Sequence, residues 1–262
     1  MMSENNLTIL ALDFDGVVCD GLIEYFETAW RTYCQVWSPD DLTPPPDLAA
    51  QFYRLRPVIE VGWEMPVLLR ALLLGIAEDK IWEDWIAIAH QIIEQEHLQG
   101  ADIGAKLDHI RDEWIANDLD GWLSLHRFYP GVVEKLRLVL NSSVKPYIIT
   151  TKEGRFVQQL LQQQNIKMPE GAIFGKECQR PKHQILRELI TASSGELVNI
   201  WFVEDRLKTL QFVEKQADLK SVKLYFANWG YNTPKQHQSI ADNQRIKLLS
   251  LEQFAEDFGD WP

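Results

Sequence analysis

Asp13 and Asp15 flank Phe14 and precede Gly16, at the end of the apolar run Leu7-Thr-Ile-Leu-Ala-Leu12. Two carboxylates two positions apart at a strand end address one small volume. Buried like charges are unfavourable unless a cation or a shared proton relieves them. Glu204 and Asp205 close a second apolar run, Val198-Asn-Ile-Trp-Phe-Val203, and are placed to complete the same site. Every one of these groups is an oxygen donor. Such a set suits Mg2+ better than zinc, because Mg2+ takes few protein ligands and fills its shell with water and phosphate. An Asp-x-Asp-Gly turn alone is common. The second acidic pair behind a second buried strand is what gives this one weight.

Carboxylates so placed need strands that end together. Leu7–Leu12, Val144–Thr150, Ala172–Phe174, Val198–Val203 and Val222–Ala227 are near-continuous apolar runs of strand length. Helical periodicity lies between them. It covers Gly131–Leu140, with Pro130 able to take an early helical position, then Glu153–Gln164 with Phe156, Leu160 and Leu161 inward, and His183–Ile190. Strands alternating with helices predict an α/β protein, a doubly wound Rossmann-like parallel sheet covered on both faces. Sites in such sheets form at the carboxyl ends of the strands. The acids after the first and fourth runs and Thr150 and Thr151 after the second all fall on that edge.

The chain from Cys19 to Leu125 is different. Its apolar residues recur at helical spacing, as in Leu22, Phe26, Ala29 and Tyr33, then Trp82, Trp85, Ile86 and Ile88, then Ile110, Trp114 and Leu119. Thr43-Pro-Pro-Pro46 interrupts it and must be loop. This predicts a helical domain at 19–126 inserted into a core made of 1–18 and 127–262, with hinges near 17–21 and 122–128. Most of the ten tryptophans are expected to pack between helices.

The 262 residues carry 26 lysines and arginines against 38 aspartates and glutamates, a formal charge of −12, which argues against a nucleic-acid surface. Three cysteines with no close pair argue against a disulfide scaffold or a zinc cluster. No apolar run approaches the ~18 residues of a membrane span, and Met1–Asn6 is polar with no signal-like core behind it. The expectation is a cytoplasmic protein with no membrane partner.

Asp13-Phe-Asp15-Gly-Val-Val-Cys-Asp20 resembles the first motif of the haloacid dehalogenase-like hydrolase superfamily. Ile148-Ile-Thr150-Thr-Lys152 resembles the second, Pro181-Lys182 the lysine-bearing third, and Phe202-Val-Glu204-Asp205-Arg206 the acidic fourth. Phe128-Tyr-Pro130-Gly-Val is similar to the segment that opens the return from the inserted cap. The resemblance spans about 7–20 and 126–230, and the helical insertion matches the position of the family's first cap domain. It implies Asp13 as the nucleophile toward phosphorus and Asp15 as the general acid and base. It also implies Mg2+ held by Asp13, the carbonyl of Asp15 and Asp205. Thr150 Oγ and the Thr151 amide would take a phosphoryl oxygen, and Lys182 would neutralise developing charge. Lys176 competes for that last role, being also between the third strand and the next helix. Lys152 is either a second phosphate contact or a solvated charge.

The fourth motif departs from the family pattern, because Lys208 and Thr209 stand where a further aspartate is usual. Glu204 either compensates as a metal ligand, direct or through water, or pairs with Arg206 or a nearby lysine. Thr151 stands where asparagine is frequent. Substrate specificity is assigned to Asp20 and the helical insertion, with Arg54 and Arg56 its most concentrated positive charges. His126 and His183 are expected to serve packing or surface roles. Trp229-Gly230-Tyr231 is expected to brace the site, Gly230 permitting a tight turn. The resulting expectation is a Mg2+-dependent phosphomonoester hydrolase acting on a small phosphorylated metabolite. The alternatives are a phosphosugar mutase and a non-catalytic binding or regulatory protein of the same fold. A haloacid dehalogenase fits less well, since that chemistry needs no Mg2+ and its site normally lacks an acid at position 15.

Overall fold

The computed structural model describes residues 6–192 and 197–262. The polar opening of the chain lies, but for Asn6, outside the described residues. Contacts divide the chain into two compact units, 1–20 with 127–262 and 21–126.

The first unit is built on six parallel strands: β1 (Asn6–Leu12), β4 (Lys145–Ile149), β5 (Ile173–Phe174), β6 (Leu197–Glu204), β7 (Val222–Ala227) and β8 (Ile246–Leu249). Their order is β5-β4-β1-β6-β7-β8. β1 is apolar because both of its faces are covered, and Leu10, Ala11 and Leu12 are fully buried. After β1 the chain builds outward through β4 to β5, then crosses to β6 on the other flank of β1. Strand order therefore reverses at β1, the place where open α/β sheets leave a crevice.

Among the described residues this unit has the α-helices α7 (Val132–Leu140), α8 (Gly154–Gln163), α9 (Lys182–Ala192), α10 (Leu207–Glu214), α11 (Pro234–Ser239) and α12 (Leu251–Ala255). In α8 Phe156, Val157, Leu160 and Leu161 are buried while Gln158, Gln162 and Gln163 are exposed, the stripe expected of a helix on a sheet. Pro130 does not enter α7. Gly131, at φ +78°, is the N-cap, a left-handed conformation that glycine adopts without a Cβ clash, so the proline stands one residue outside. A two-residue antiparallel ribbon, β2 (Cys19–Asp20) with β3 (Arg127–Phe128), completes the unit. Cys19 and Asp20, placed in the insertion by the sequence, are held to the core by this pairing.

The second unit is helical: α1 (Leu22–Trp37), α2 (Leu48–Leu55), α3 (Glu64–Leu73), α4 (Glu78–Gln95), α5 (Gly100–Asn117) and α6 (Leu119–Leu123). It has its own core, in which Phe26, Phe52, Leu68, Trp85 and Leu107 are buried. Tyr33 stacks between Trp30 and Trp37 at centroid distances of 5.1 and 5.0 Å. Buried Glu24 on α1 accepts from Arg111 Nε of α5 at 2.8 Å and from Thr28 Oγ1 at 2.7 Å. Trp82 and Ile86 do not join Trp85 inside; both are exposed. The backbone leaves helical geometry at Asp84, φ −149° and ψ 64°, so the four-residue spacing across it no longer marks one face. Among the described residues no helix is long and apolar enough to cross a membrane.

Candidate active site

Register brings the first two acidic segments together. Leu12 of β1 is level with Val203 of β6, and the Asp13 amide donates to the Val203 carbonyl at 2.9 Å. The next residue on each strand is an acid, so Asp13 and Glu204 emerge side by side at the carboxyl edge. Oxygens of Asp13, Glu204 and Asp205 all lie within 4.8 Å of one another, and the three residues are 6, 0 and 1% exposed.

Lys182, the first residue of α9, enters this cluster from the other side of the crevice. Its Nζ lies 2.8 Å from Asp13 Oδ2 and 2.7 Å from Glu204 Oε2. Lys176 is exposed in the turn before it, so the geometry favours Lys182 for the family lysine. Burial alone would lower the Lys182 ammonium's pKa, but Asp13 and Glu204 outweigh this and raise it. One ammonium is nevertheless shared by two carboxylates. Burial and the charge of Glu204 push the Asp13 carboxyl up to about 7 against the pull of Lys182. Burial likewise raises Glu204.

Glu204 is fully engaged. Oε2 accepts from Lys182, and Oε1 accepts from the Arg206 amide at 3.0 Å. The carboxylate therefore orients the lysine. Asp205 is held differently: Oδ2 accepts from the Tyr231 amide at 2.7 Å, and its carbonyl accepts from Asn232 Nδ2 at 3.1 Å. Gly16 and Gly230 make the room. A Cβ on Gly16 would meet Asp205 Oδ2 at 2.1 Å, and one on Gly230 would meet Asp205 Cβ at 2.3 Å and the Gly16 carbonyl at 2.4 Å. Gly16 also has φ +86°. Gly230 does not occupy the left-handed region, so its requirement is close approach rather than a tight turn.

The Asp15 side chain stands outside the three-acid group and faces Lys152, whose Nζ is 3.1 Å from Oδ1. Lys152 is thus a half-buried partner of Asp15 and not a solvated charge. Its amide donates to Thr150 Oγ1 at 3.1 Å, a bond that closes the second-motif turn on itself. Thr150 is buried at the end of β4, and Thr151 is exposed just beyond it. Tyr231 OH donates to Asp20 Oδ1 at 2.9 Å, and Trp229 Nε1 to the Val17 carbonyl at 3.1 Å. The loop after β7 therefore grips both the first-motif turn and Asp205.

The remaining candidates separate. Arg54 is exposed and pairs with Glu78 at 2.6 Å. Arg56 donates to the Ile59 carbonyl and lies over the Tyr25 ring at 5.0 Å. His126 is buried with Nδ1 3.2 Å from the Trp122 carbonyl, and the His183 ring lies 4.8 Å from that of Phe212. Asn232, which spans from the Ala227 carbonyl to Asp205, has no signature of its own in the sequence; only its place after Trp229-Gly-Tyr hints at it.

Among the described residues this three-acid group is the one set of carboxylates, thiols and imidazoles close enough to hold a metal ion. With Lys182 included, it keeps a formal surplus of two negative charges. A hard divalent cation removes that surplus, and an all-oxygen donor set matches it. The residues fit Mg2+.

No family model matches the sequence, nor does any curated protein. Solved structures do. A haloacid dehalogenase-like family hydrolase of Streptococcus pneumoniae is 14% identical with a TM-score of 0.54, covering 94% of each chain. A predicted phosphoglycolate phosphatase of Haemophilus somnus is 16% identical with a TM-score of 0.56, covering 94% of this chain and 95% of its own. Protein tyrosine kinase A of Mycobacterium tuberculosis superposes equally well, at 12% identity and a TM-score of 0.55 over 98% and 96% of the two chains. The chain has the haloacid dehalogenase-like fold. Since both phosphatase and kinase names attach to that fold, activity has to be argued from the site.

Proposed function

We propose that this chain is a phosphomonoester hydrolase that acts on a small organic phosphate with Mg2+ in its acidic pocket. The observation that carries this is the buried group Asp13, Glu204 and Asp205 around one lysine, two charges short of neutrality. A fold maintained for binding or packing alone gains nothing from such a surplus, which destabilises it.

Asp13, Asp205 and the carbonyl of Asp15 would hold the cation, with Glu204 kept for Lys182. When bound, Mg2+ supplies positive charge that offsets the phosphoryl oxygens and polarises them. The Thr150 hydroxyl and the Thr151 amide donate to a phosphoryl oxygen, and the Lys182 ammonium balances charge that grows in the transition state. An Asp13 carboxylate oxygen forms a bond to phosphorus as the bond to the ester oxygen breaks, and Asp15 gives that leaving oxygen a proton. Asp15 then takes a proton from water, the water oxygen bonds to phosphorus, and the aspartyl-phosphate opens to phosphate and Asp13. Lys152 fixes where the Asp15 carboxyl points, 3.1 Å from its Oδ1.

A panel of phosphomonoesters assayed with Mg2+ and with chelator tests the proposal. Phosphate release should require the metal. It should be abolished in Asp13→Asn and fall by about 10²- to 10⁴-fold in Asp15→Asn. A folded protein that binds Mg2+ yet releases phosphate from no ester overturns it.

A further inference from the structure

A cavity on the core unit shares two residues with the site. It has a volume of about 400 Å³, and Thr151 and Lys182 form one end of it. Pro181, His183, Lys208, Thr209, Phe212 and Val213 supply its walls, between the start of α9 and α10. The residues of this cleft take no part in the chemistry derived above, apart from the two shared with the phosphoryl site.

Phe212 is the informative residue. It is 52% exposed, while its neighbours on α10, Leu210 and Val213, are buried. Its ring faces His183 at a centroid distance of 4.8 Å and an angle of 56°. The cleft thus presents two planar rings beside a mostly apolar wall that also carries Lys208 and Thr209. Burial, then the charge of Arg187, lowers the His183 pKa, which favours the uncharged ring. Exposed aromatic surface next to a polar anchor is the arrangement that seats a flat apolar group, because stacking and burial act only on a ligand already oriented at one end. The anchor here is the phosphoryl end, Thr151 and Lys182.

We propose that the cleft holds the ring of an aromatic or heteroaromatic substrate whose phosphomonoester group is bound at Thr150, Thr151 and Lys182, with Phe212 and His183 as specificity residues. This rests on the hydrolase assignment and narrows its substrate class. The chemistry is that already described. The ring is a bystander to it and acts through binding.

Benzyl phosphate and ethyl phosphate release alcohols of similar acidity, so a difference between them reports the ring and not the leaving group. The expected result is a kcat/KM about tenfold higher for benzyl phosphate, expressed mainly in KM. Phe212→Ala should bring the two esters to within about twofold by raising the KM for benzyl phosphate, and Phe212→Trp should restore the preference. Turnover of both esters with no preference, or a preference that survives Phe212→Ala, overturns the cleft and leaves the hydrolase assignment standing. Binding of the inert benzylphosphonate in the presence of Mg2+ is measured alongside. Binding weakened by Phe212→Ala in a protein that turns over neither ester supports the cleft while the hydrolase assignment fails. Absence of both turnover and ring-dependent binding overturns the cleft as well.

Discussion

Asp205 can stand where it does only because two neighbouring residues have no side chain. With 2.1 Å from a Cβ on Gly16 to Asp205 Oδ2, and 2.4 Å from one on Gly230 to the Gly16 carbonyl, the acid, the first-motif turn and the loop after β7 share one volume. Gly230→Ala should push Asp205 off its bond to the Tyr231 amide. We expect a loss of about tenfold or more in Mg2+ affinity by calorimetric titration, with about 1–3 kcal/mol of metal-free stability lost to overpacking. Unchanged affinity would show that Asp205 is not a ligand. Asp13 carries a second prediction. In the metal-free protein its carboxyl is raised from 3.8 to about 7, by burial and then by Glu204. A raised acid favours the protonated form on folding, so metal-free stability from this group falls as pH rises from about 4 through 7. Mg2+ needs the carboxylate and competes with that proton. The rise in melting temperature on adding Mg2+ should therefore be larger at pH 8 than at pH 5.5, and an equal rise at both would exclude proton competition at Asp13. That Asp13, Asp205 and Lys182 lie at strand and helix ends was legible, because motif spacing puts them there. For Glu204 the sequence left a metal ligand or a partner of Arg206 or a lysine open, and for Lys152 it offered no partner, because the contacts join residues distant in sequence, 22 residues for Glu204 with Lys182 and 137 for Lys152 with Asp15.

Among the elements, five of the six sheet strands were readable, the edge strand β5 included, and the other edge strand, β8, was not. β1, β4, β6 and β7 announce themselves as apolar runs because neighbours cover them. β8 has four residues, one of them Lys247, and sits at the sheet's edge. A short edge strand needs no continuous apolar run, which explains its silence in the sequence. The turn beyond α12 was equally silent, although it carries the densest aromatic packing of the core unit. Trp261 has ring centroids of Tyr225 at 4.9 Å, Phe258 at 5.1 Å and Phe254 at 5.5 Å around it. Trp201 of β6 stacks on Phe258 at 4.3 Å, and the buried Lys135 of α7 lies over that ring at 4.1 Å while donating to the Glu256 carbonyl. The last residues thus fasten β6, β7 and α7 together. Trp261→Ala should remove about 3–5 kcal/mol of stability in urea unfolding, the range for truncating a buried tryptophan. A loss under about 1 kcal/mol would mean that the C-terminal turn merely rests on the sheet.

At the scale of the molecule, what matters is how a long insertion can interrupt a sheet without belonging to it. Asp20 pairs with Arg127 and Cys19 with Phe128, so the chain leaves the core and returns to it on adjacent strands of one ribbon. All six sheet strands and every residue of the three-acid group lie outside 21–126. Helical spacing from Leu22 onward made the insertion visible in the sequence. Its edge was misplaced by two residues, because a ribbon of two residues per strand leaves no periodic pattern. The insertion has its own buried core and its own buried ion pair, Glu24 with Arg111. Each unit therefore meets the requirements for folding alone. Replacing 21–126 with a short Gly-Ser turn should leave a protein that melts cooperatively and still binds Mg2+, since its ligands are untouched. The 21–126 segment expressed alone should give a helical circular dichroism spectrum and a single thermal transition. If the shortened core fails to bind Mg2+ although it melts cooperatively, the acidic group requires the insertion to hold its geometry. If the isolated segment has no cooperative transition, its apolar core is too small to outweigh the entropy of ordering the chain.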